Sequence, residues 1–247
     1  MYLSENKNPI IYGSFTGLFE HFVGVAPRTI LDFKQYYNNP TKHLSDINLK
    51  KLYKGTVPYL SGVCFGHMSL FYFLEQSKKQ KNSLMDGLYG FIGKCSHDLF
   101  IVPGDTVRMR SNLKQISNKQ SFTEIYNKYG VKGFFKGLGP AYSIGLLSGA
   151  IEFTTMMYLE RKYGSDGLKP FLYGGITGIC SSVITSPIDT IKTQIQMDQN
   201  IKYSELIKKI YEERGMKGFF RGMFLRSFQC VLSYGTYEYL SHNLNLD

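Results

Sequence analysis

One short pattern occurs three times in this chain and limits its architecture more than any other feature. Tyr53-Lys54-Gly55, Phe135-Lys136-Gly137 and Phe220-Arg221-Gly222 set an aromatic, a base and a glycine in the same order, with the glycines 82 and 85 residues apart. The later two copies agree further upstream, Gly130-Val131-Lys132-Gly133-Phe134 against Gly215-Met216-Lys217-Gly218-Phe219. A proline precedes each pattern, at Pro27, Pro103 and Pro187, 76 and 84 residues apart. Self-similarity at a fixed period means a structure assembled from equivalent units. Each unit reads as an apolar helix running into the proline segment, a polar stretch with a short amphipathic helix, the aromatic-basic-glycine turn and a second apolar helix. The units cover about residues 8–80, 83–163 and 168–247 of a single domain, 1–247. Six long helices are expected near 8–36, 56–78, 83–112, 138–162, 168–197 and 223–243. The first unit is compact: Pro27 to Gly55 is 28 residues, against 34 and 35 in the other two.

Several of the six stretches approach the ~20 residues needed to cross a bilayer. They are not continuous apolar spans, since Glu20, His21, Lys94, His97, Asp98 and Glu152 interrupt them. A charge facing lipid is costly, so these residues are expected to face a wet interior or a partner. Close helix contact in lipid calls for small residues. The first helix of each unit has them, Gly13 with Gly17, Gly90 with Gly93 and Gly174 with Gly178.

The formal charge of +10 is compatible with nucleic acid, an anionic membrane surface or anionic metabolites. Its bases follow the repeat turns and loops instead of forming one stripe, which argues against nucleic acid. Cys64, Cys95, Cys180 and Cys230 lie far apart inside apolar stretches and read as free buried thiols, with neither a disulfide framework nor a zinc site. The N-terminal residues lack both a basic segment followed by an apolar one and an Arg-rich amphipathic pattern, so no cleaved targeting signal is expected.

Enzyme chemistry finds little support. Gly87 to Lys94 looks briefly like a phosphate loop, but there is no glycine five places before Gly93, and Cys95 stands where Ser or Thr is required. The histidines His21, His43, His67, His97 and His242 form no i, i+4 ligand pair, so no metal site and no cofactor are expected. His97 beside Asp98 reads as a packed or cavity histidine in preference to a proton relay.

The stretch Thr185-Ser186-Pro187-Ile188-Asp189-Thr190-Ile191-Lys192 joins an apolar helix to a polar segment. Proline there removes a backbone donor and kinks the axis, while Asp189 and Lys192 lie one turn beyond on one face. Pro103, Asp105 and Arg108 repeat that order. These segments, the aromatic-basic-glycine turns and the threefold period together resemble the mitochondrial carrier family over essentially the whole chain. The resemblance implies an all-α membrane protein of three tandem repeats, each of two transmembrane helices, with short amphipathic matrix-side helices. The six spans would surround a central cavity with pseudo-threefold symmetry. It further implies alternating-access transport of a small solute by a monomer in the mitochondrial inner membrane or that of a derived organelle.

In such a family the signature charges form a ring of ion pairs that closes the matrix side. Counting from Pro27 puts Thr29 and Asp32 at the acid and base positions of unit one. Asp105 would then meet Lys192, Arg108 would face Thr29, and Asp32 would face Asp189: one pair kept, one lost, one repulsive. A weak matrix gate is the expectation, with Arg28 or Lys34 placed to rescue it, and Asp32→Lys is expected to raise thermal stability or slow transport. Gln196 falls where the family carries a bracing glutamine. Aligning unit one on its glycines shifts the register by one and matches Gln35 to Gln196, although the charges still do not fit.

The resemblance also implies a cytoplasmic gate, drawn from Glu75 with Lys78, Met157 or Glu160 one turn further on, and Glu238 with Ser241 in place of the base, so this gate too is poor in bases. Solute contacts fall seven or eight residues after the turn glycines, at Gly62 and Val63, Ile144 and Gly145, and Gln229 and Cys230. A second count in unit three gives Arg226 as the anion contact, with Gln229 one turn beyond. Ile144-Gly145 is similar, in reversed order, to the slot of nucleotide carriers, and the short first connection is similar to carriers of S-adenosylmethionine. A nucleotide taken by exchange is therefore the expected solute, with S-adenosylmethionine or a carrier-derived protein without transport as the alternatives. Lys94 and Asp98, four apart on one helix face, are open to two readings, a self-neutralised pair or cavity groups for a zwitterion or phosphate. The turns, through Lys54 and Gly55, Lys136 and Gly137, and Arg221 and Gly222, are expected to bind lipid phosphate, and in this family cardiolipin.

Overall fold

The structure, a computed structural model, describes residues 9–44, 48–78, 83–164, 166–198 and 200–231. They form long helices joined by short ones. In chain order these are α1 (Pro9–Tyr36), α2 (Pro40–Leu44), α3 (Leu49–Leu52), α4 (Thr56–Lys78), α5 (Ser83–Lys114), α6 (Asn118–Tyr129), α7 (Leu138–Tyr163), α8 (Lys169–Met197) and α9 (Tyr203–Arg214). A further helix, α10, begins at 223 and is described to 231, so most of the expected 223–243 helix lies outside the described residues. Pro27, Pro103 and Pro187 lie inside α1, α5 and α8, each of which continues for two to three turns beyond its proline.

Neighbouring helices close a ring. The packing runs α1 to α4, α4 to α5, α5 to α7 and α7 to α8. It continues to α10, where Ser182 and Ser227 share a hydrogen bond of 2.6 Å. The circuit ends at Gly24 of α1, where an added Cβ would lie 3.3 Å from Gln229 of α10. Glycines set the closest approaches. A side chain at Gly62 would meet the Phe100 carbonyl at 2.5 Å, and one at Gly178 the Cys230 carbonyl at 2.8 Å, so only a hydrogen fits there.

The distribution of polarity is inverted relative to a water-soluble bundle. On α8 the buried residues include Thr177, Ser181, Ser182, Thr185, Ser186, Asp189, Thr190 and Thr193, while Leu172, Ile176, Ile179, Val183 and Ile184 are exposed. On α5 His97, Asp98, Asp105 and Arg108 are inside and Phe91, Ile92, Leu99 and Phe100 outside. Large apolar patches of this kind mark surfaces that meet something other than water. By length and composition, Lys169–Met197 is the one helix among the described residues that is long and apolar enough to cross a membrane. Cys180 is exposed and Cys64, Cys95 and Cys230 are half-buried, which corrects the expectation that all four are buried; they are free thiols.

The polar connections repeat as well. α6 and α9 end in the same cap, Gly130 at φ 64° and Gly215 at φ 61°, and each glycine N–H donates to a carbonyl four residues back at 2.8 Å. Left-handed backbone there requires glycine. Each is followed by one 3-10 segment, Val131–Phe135 and Met216–Phe220. In the compact first unit α2 and α3 take their place.

The three turn glycines seat against the proline-bearing helix of the next unit in cyclic order. Gly55 lies against Arg108 of α5, Gly137 against Gln196 of α8, and Gly222 against Leu31 of α1. Gly55 has φ 79°, and a Cβ on it would be 2.6 Å from the Arg108 Cα. Gly55→Ala is therefore expected to cost about 2–3 kcal/mol, from left-handed strain plus a backbone collision. Gly130→Ala, at φ 64° and ψ −161°, a conformation open essentially to glycine alone, but with open space around it, is expected to cost about 1–2 kcal/mol. Thermal unfolding of the two variants in detergent checks the difference, and equal losses would remove the packing argument.

Candidate functional site

Each proline-bearing helix carries a threonine that fixes its register. The Thr29, Thr106 and Thr190 hydroxyls donate to the carbonyls of Leu52, Phe134 and Phe219, at 2.9, 3.2 and 3.0 Å. Each acceptor stands three residues before its turn glycine. The threonines are therefore equivalent, and the prolines are not, since Thr29 follows Pro27 by two residues and the others follow theirs by three. In this register Arg28 shares a position with Asp105 and Asp189, and Leu31 shares one with Arg108 and Lys192. Unit one thus has a base where the other two have an acid, and supplies its acid, Asp32, one turn later.

The reversed order completes the ring. Lys192 Nζ donates to Asp105 Oδ2 at 2.9 Å, linking α8 to α5. Arg108 Nη2 donates to Asp32 Oδ2 at 2.9 Å, linking α5 to α1. The Arg28 guanidinium meets both Asp189 oxygens, at 3.1 and 3.3 Å, linking α1 to α8. Arg28 Nε also pairs with Asp32 Oδ1 at 3.3 Å, and Arg108 with Asp105 Oδ1 at 2.6 Å. The expected repulsion between Asp32 and Asp189 is corrected: Arg28, one of the two bases placed to rescue the site, stands between the two carboxylates. Arg108 does approach Thr29, at 3.4 Å, but its charge is matched by Asp32. Asp32 and Arg108 are 0% exposed, so these pairs are desolvated, and removing one partner from such a pair leaves a costly unpaired charge.

Amides brace the ring in the same cyclic sense. Asn112 donates to Thr29 at 3.3 Å and Gln196 to Thr106 at 2.9 Å. Gln35 donates to Asp189 at 2.9 Å and accepts from Thr193 at 2.6 Å. Gln35 therefore takes the place beside Gln196 that the one-residue shift allowed. Arg226, expected as a solute contact, is buried and committed in this conformation: its Nη1 is 2.8 Å from Asp189 Oδ2 and its Nη2 donates to Thr185 at 2.8 Å.

Above the ring lies a second polar layer. Lys94 pairs with Asp98 at 3.4 Å, and His97 Nδ1 is 2.9 Å from the same carboxylate oxygen. Gly145 of α7 faces this group, since a Cβ on it would be 3.0 Å from Lys94 and 3.5 Å from Asp98. The structure thus brings Lys94, Asp98 and Gly145 together. Gly62 and Val63 instead sit in helix seams, Gly62 on the Phe100 carbonyl and Val63 in a cluster with Val25, Tyr59 and Ile101. Ile144 is half-buried, as is Gln229, which abuts Gly24. Sequence reasoning missed that His21, His67 and His97, on α1, α4 and α5, cluster with one ring nitrogen of each within 4.8 Å of the others. Spacing along one helix holds no signal for such a group.

Of the expected second gate, Glu238 lies outside the described residues, and Glu75, Lys78 and Glu160 are placed only as backbone near the ends of α4 and α7. The turn bases are engaged with neighbouring units: Lys54 donates to the Gln115 carbonyl at 2.7 Å and Arg221 to that of Asn38 at 2.8 Å. Arg214 adds bonds of 2.8 Å to the carbonyls of Gln35 and Tyr36. Cations here stabilise the carbonyl-rich C-terminal ends of α1 and α5. Lys136 is half-buried, and its own carbonyl accepts from Tyr203 at 3.4 Å.

Sequence comparison agrees with this geometry. The family model described as "Mitochondrial carrier protein" matches residues 79–167 and 164–247. An uncharacterized mitochondrial carrier of Schizosaccharomyces pombe is 23% identical over 253 residues, covering 96% of this chain and 93% of the relative. The mitochondrial thiamine pyrophosphate carrier 1 of Eremothecium gossypii is 29% identical over 160 residues, 58% of this chain and 50% of that protein, so the chain spans about half the length of that relative. The mitochondrial ornithine transporter 1 of Saccharomyces cerevisiae is 28% identical over 198 residues, 69% of this chain and 68% of the transporter.

Proposed function

The chain belongs to the mitochondrial carrier family, whose members transport solutes across membranes, and from that premise we propose that it moves a small anionic or zwitterionic metabolite across the mitochondrial inner membrane by alternating access. The observation that carries this reading is the closed three-way ring of Arg28 with Asp189, Asp32 with Arg108 and Asp105 with Lys192, enclosed by helices whose exposed faces are apolar. Six membrane spans, in three units over 1–247, account for both features, because charges are tolerated at bilayer depth when they pair inside the bundle.

In this reading the ring is the matrix gate, closed in the present conformation, with Gln35, Asn112 and Gln196 as its braces. Solute binding supplies the differential energy that opens it. Lys94, Asp98 and Gly145 are the solute contacts, with Ile144, Gln229, Gly62 and Val63 around them, and Arg226 joins when the ring breaks and releases it from Asp189. Glu75, Lys78, Glu160 and Glu238 belong to the opposite gate. The N–H groups at the starts of α4, α7 and α10, beside Lys54, Lys136 and Arg221, receive lipid phosphate. A nucleotide exchanged for another is the preferred solute, since Gly145 sets the α7 backbone directly against the charged pair Lys94 and Asp98. The alternative of a carrier-derived protein without transport rests on both gates being eroded, and the paired ring speaks against it at the matrix gate alone.

Two measurements test the proposal. Carbonate extraction of membranes should leave the protein in the pellet, and its release would overturn the six-span arrangement. Proteoliposomes offered nucleotides, S-adenosylmethionine, thiamine pyrophosphate, ornithine and carboxylates should show saturable exchange of one class, with nucleotide preferred. No uptake or exchange across the panel would favour the reading without transport.

A further inference from the structure

Three imidazoles from three helices meet in the layer above the charged ring, and the function proposed above leaves them without a role. The backbone was shaped to admit them. A side chain at Gly17 of α1 would collide with the His67 ring. One at Gly66 of α4 would lie 3.0 Å from the His97 carbonyl of α5. The rings of His21 and His67 are 5.3 Å apart, and those of His67 and His97 are 4.8 Å apart, both edge to face. His67 and His97 are buried, and His21 is half-buried.

The hydrogen bonds at the three Nδ1 atoms give the cluster its chemistry. His67 Nδ1 is 3.0 Å from the Val63 carbonyl, which can only accept, so that nitrogen carries the proton. His97 Nδ1 is 2.9 Å from the Asp98 carboxylate, which makes it the donor there too. In the neutral ring the lone pair then resides on Nε2. His21 Nδ1 is 2.6 Å from the Tyr59 hydroxyl. A carbonyl, a carboxylate and a hydroxyl thus each orient one imidazole, the arrangement that fixes tautomer and ring direction in histidine metal sites. Lys94 Nζ is 3.5 Å from His97 Nδ1, and its ammonium is matched by Asp98 at 3.4 Å.

We propose that His21, His67 and His97 bind a first-row divalent cation of the zinc or copper class, held by three imidazole nitrogens with a fourth position left for water or a solute atom. Imidazole favours those ions over magnesium or calcium, which take oxygen ligands. Three protein nitrogens and one vacant position are a common zinc arrangement. At Zn–N distances of 2.0–2.1 Å, tetrahedral ligands stand about 3.3 Å apart. The nitrogens, within 4.8 Å of one another, therefore close by about 1.5 Å on binding, a side-chain adjustment that leaves the helices in place. The site stands independently of which metabolite is carried.

The test uses the purified full chain in detergent, titrated with Co2+ and Cu2+ as spectroscopic probes and with Zn2+ against a chromogenic chelator. One ion per chain is expected, with a four-coordinate Co2+ absorption and a Cu2+ resonance split by imidazole nitrogen. Asp98→Asn should weaken Zn2+ binding about 10–100-fold by disturbing His97. His97→Gln and His21→Gln should each weaken it further, while His43→Ala, at an exposed residue outside the cluster, should leave it unchanged. Binding that survives His21→Gln and His97→Gln, or that follows His43, would overturn the assignment. If those variants do not fold, the wild-type spectra decide alone: a Cu2+ signal without nitrogen splitting, or no stoichiometric uptake of Co2+ or Zn2+, would rule the site out.

Discussion

Arg108→Met is expected to lower the stability of the folded chain by about 3–5 kcal/mol, the loss characteristic of removing one partner from a buried ion pair. The guanidinium is 0% exposed and serves two carboxylates, Asp32 at 2.9 Å and Asp105 at 2.6 Å. Its charge also lies 5.1 Å from the centre of the Tyr59 ring, a cation–π contact worth about 1–2 kcal/mol when desolvated. Methionine roughly fills the stem and leaves Asp32 with Arg28 alone and Asp105 with Lys192 alone. Adding Asp32→Asn in the Arg108→Met background removes one of the two buried carboxylates that lost a partner and should recover a measurable part of the loss. The coupling between the two positions, read from a double-mutant cycle on thermal unfolding, should exceed about 1 kcal/mol for residues in direct contact. A loss below about 1 kcal/mol for Arg108→Met, or additive effects in the cycle, would mean that the pair is hydrated and that the ring does not hold α1 to α5.

Most of the scaffold could be read from residue order because it rests on local rules. Glycine at Gly130 and Gly215 marks left-handed caps, and the aromatic-basic-glycine turns mark the starts of α4, α7 and α10. The ring could not be read in the same way. Proline stands two residues before the threonine in α1 and three before it in α5 and α8, whereas the threonine bond to the carbonyl three residues before the turn glycine does not shift. Aligned on Thr29, Thr106 and Thr190, the same letters give Arg28 opposite two acids, and the apparent like-charge contact becomes a bridged one. Counting assigns Arg226 to the solute layer, whereas in this conformation its length lets it reach back to Asp189 on α8. The histidine cluster was illegible because its members come from three helices and meet only through the close approaches at Gly17 and Gly66.

The substitution Asp32→Lys separates the two alignments most sharply, because they predict opposite signs. Counted from Pro27, Asp32 faces Asp189, and a lysine there should strengthen the ring. In the folded chain the Asp32 carboxylate instead lies between Arg28 at 3.3 Å and Arg108 at 2.9 Å, with no exposure to solvent. Lysine at that position adds a third cation to two guanidinium groups and removes the acid that balances them. The expected loss exceeds the 3–5 kcal/mol of a simple broken pair, since repulsion is added to the unpaired charges. Asp32→Asn should fall between wild type and Asp32→Lys in unfolding midpoint and in yield of monodisperse protein. A further variant tests whether the partners cross helix boundaries. Exchanging the two charges, Arg28→Asp together with Asp32→Arg, preserves the i, i+4 pair within α1 while setting an acid against Asp189 and a base against Arg108. If the pair acted only within its own helix, the exchange would restore wild-type stability. With each residue committed to a different neighbouring helix, the exchanged chain should be at least as unstable as Asp32→Lys, and a stable exchanged chain would return unit one to the alignment counted from its proline.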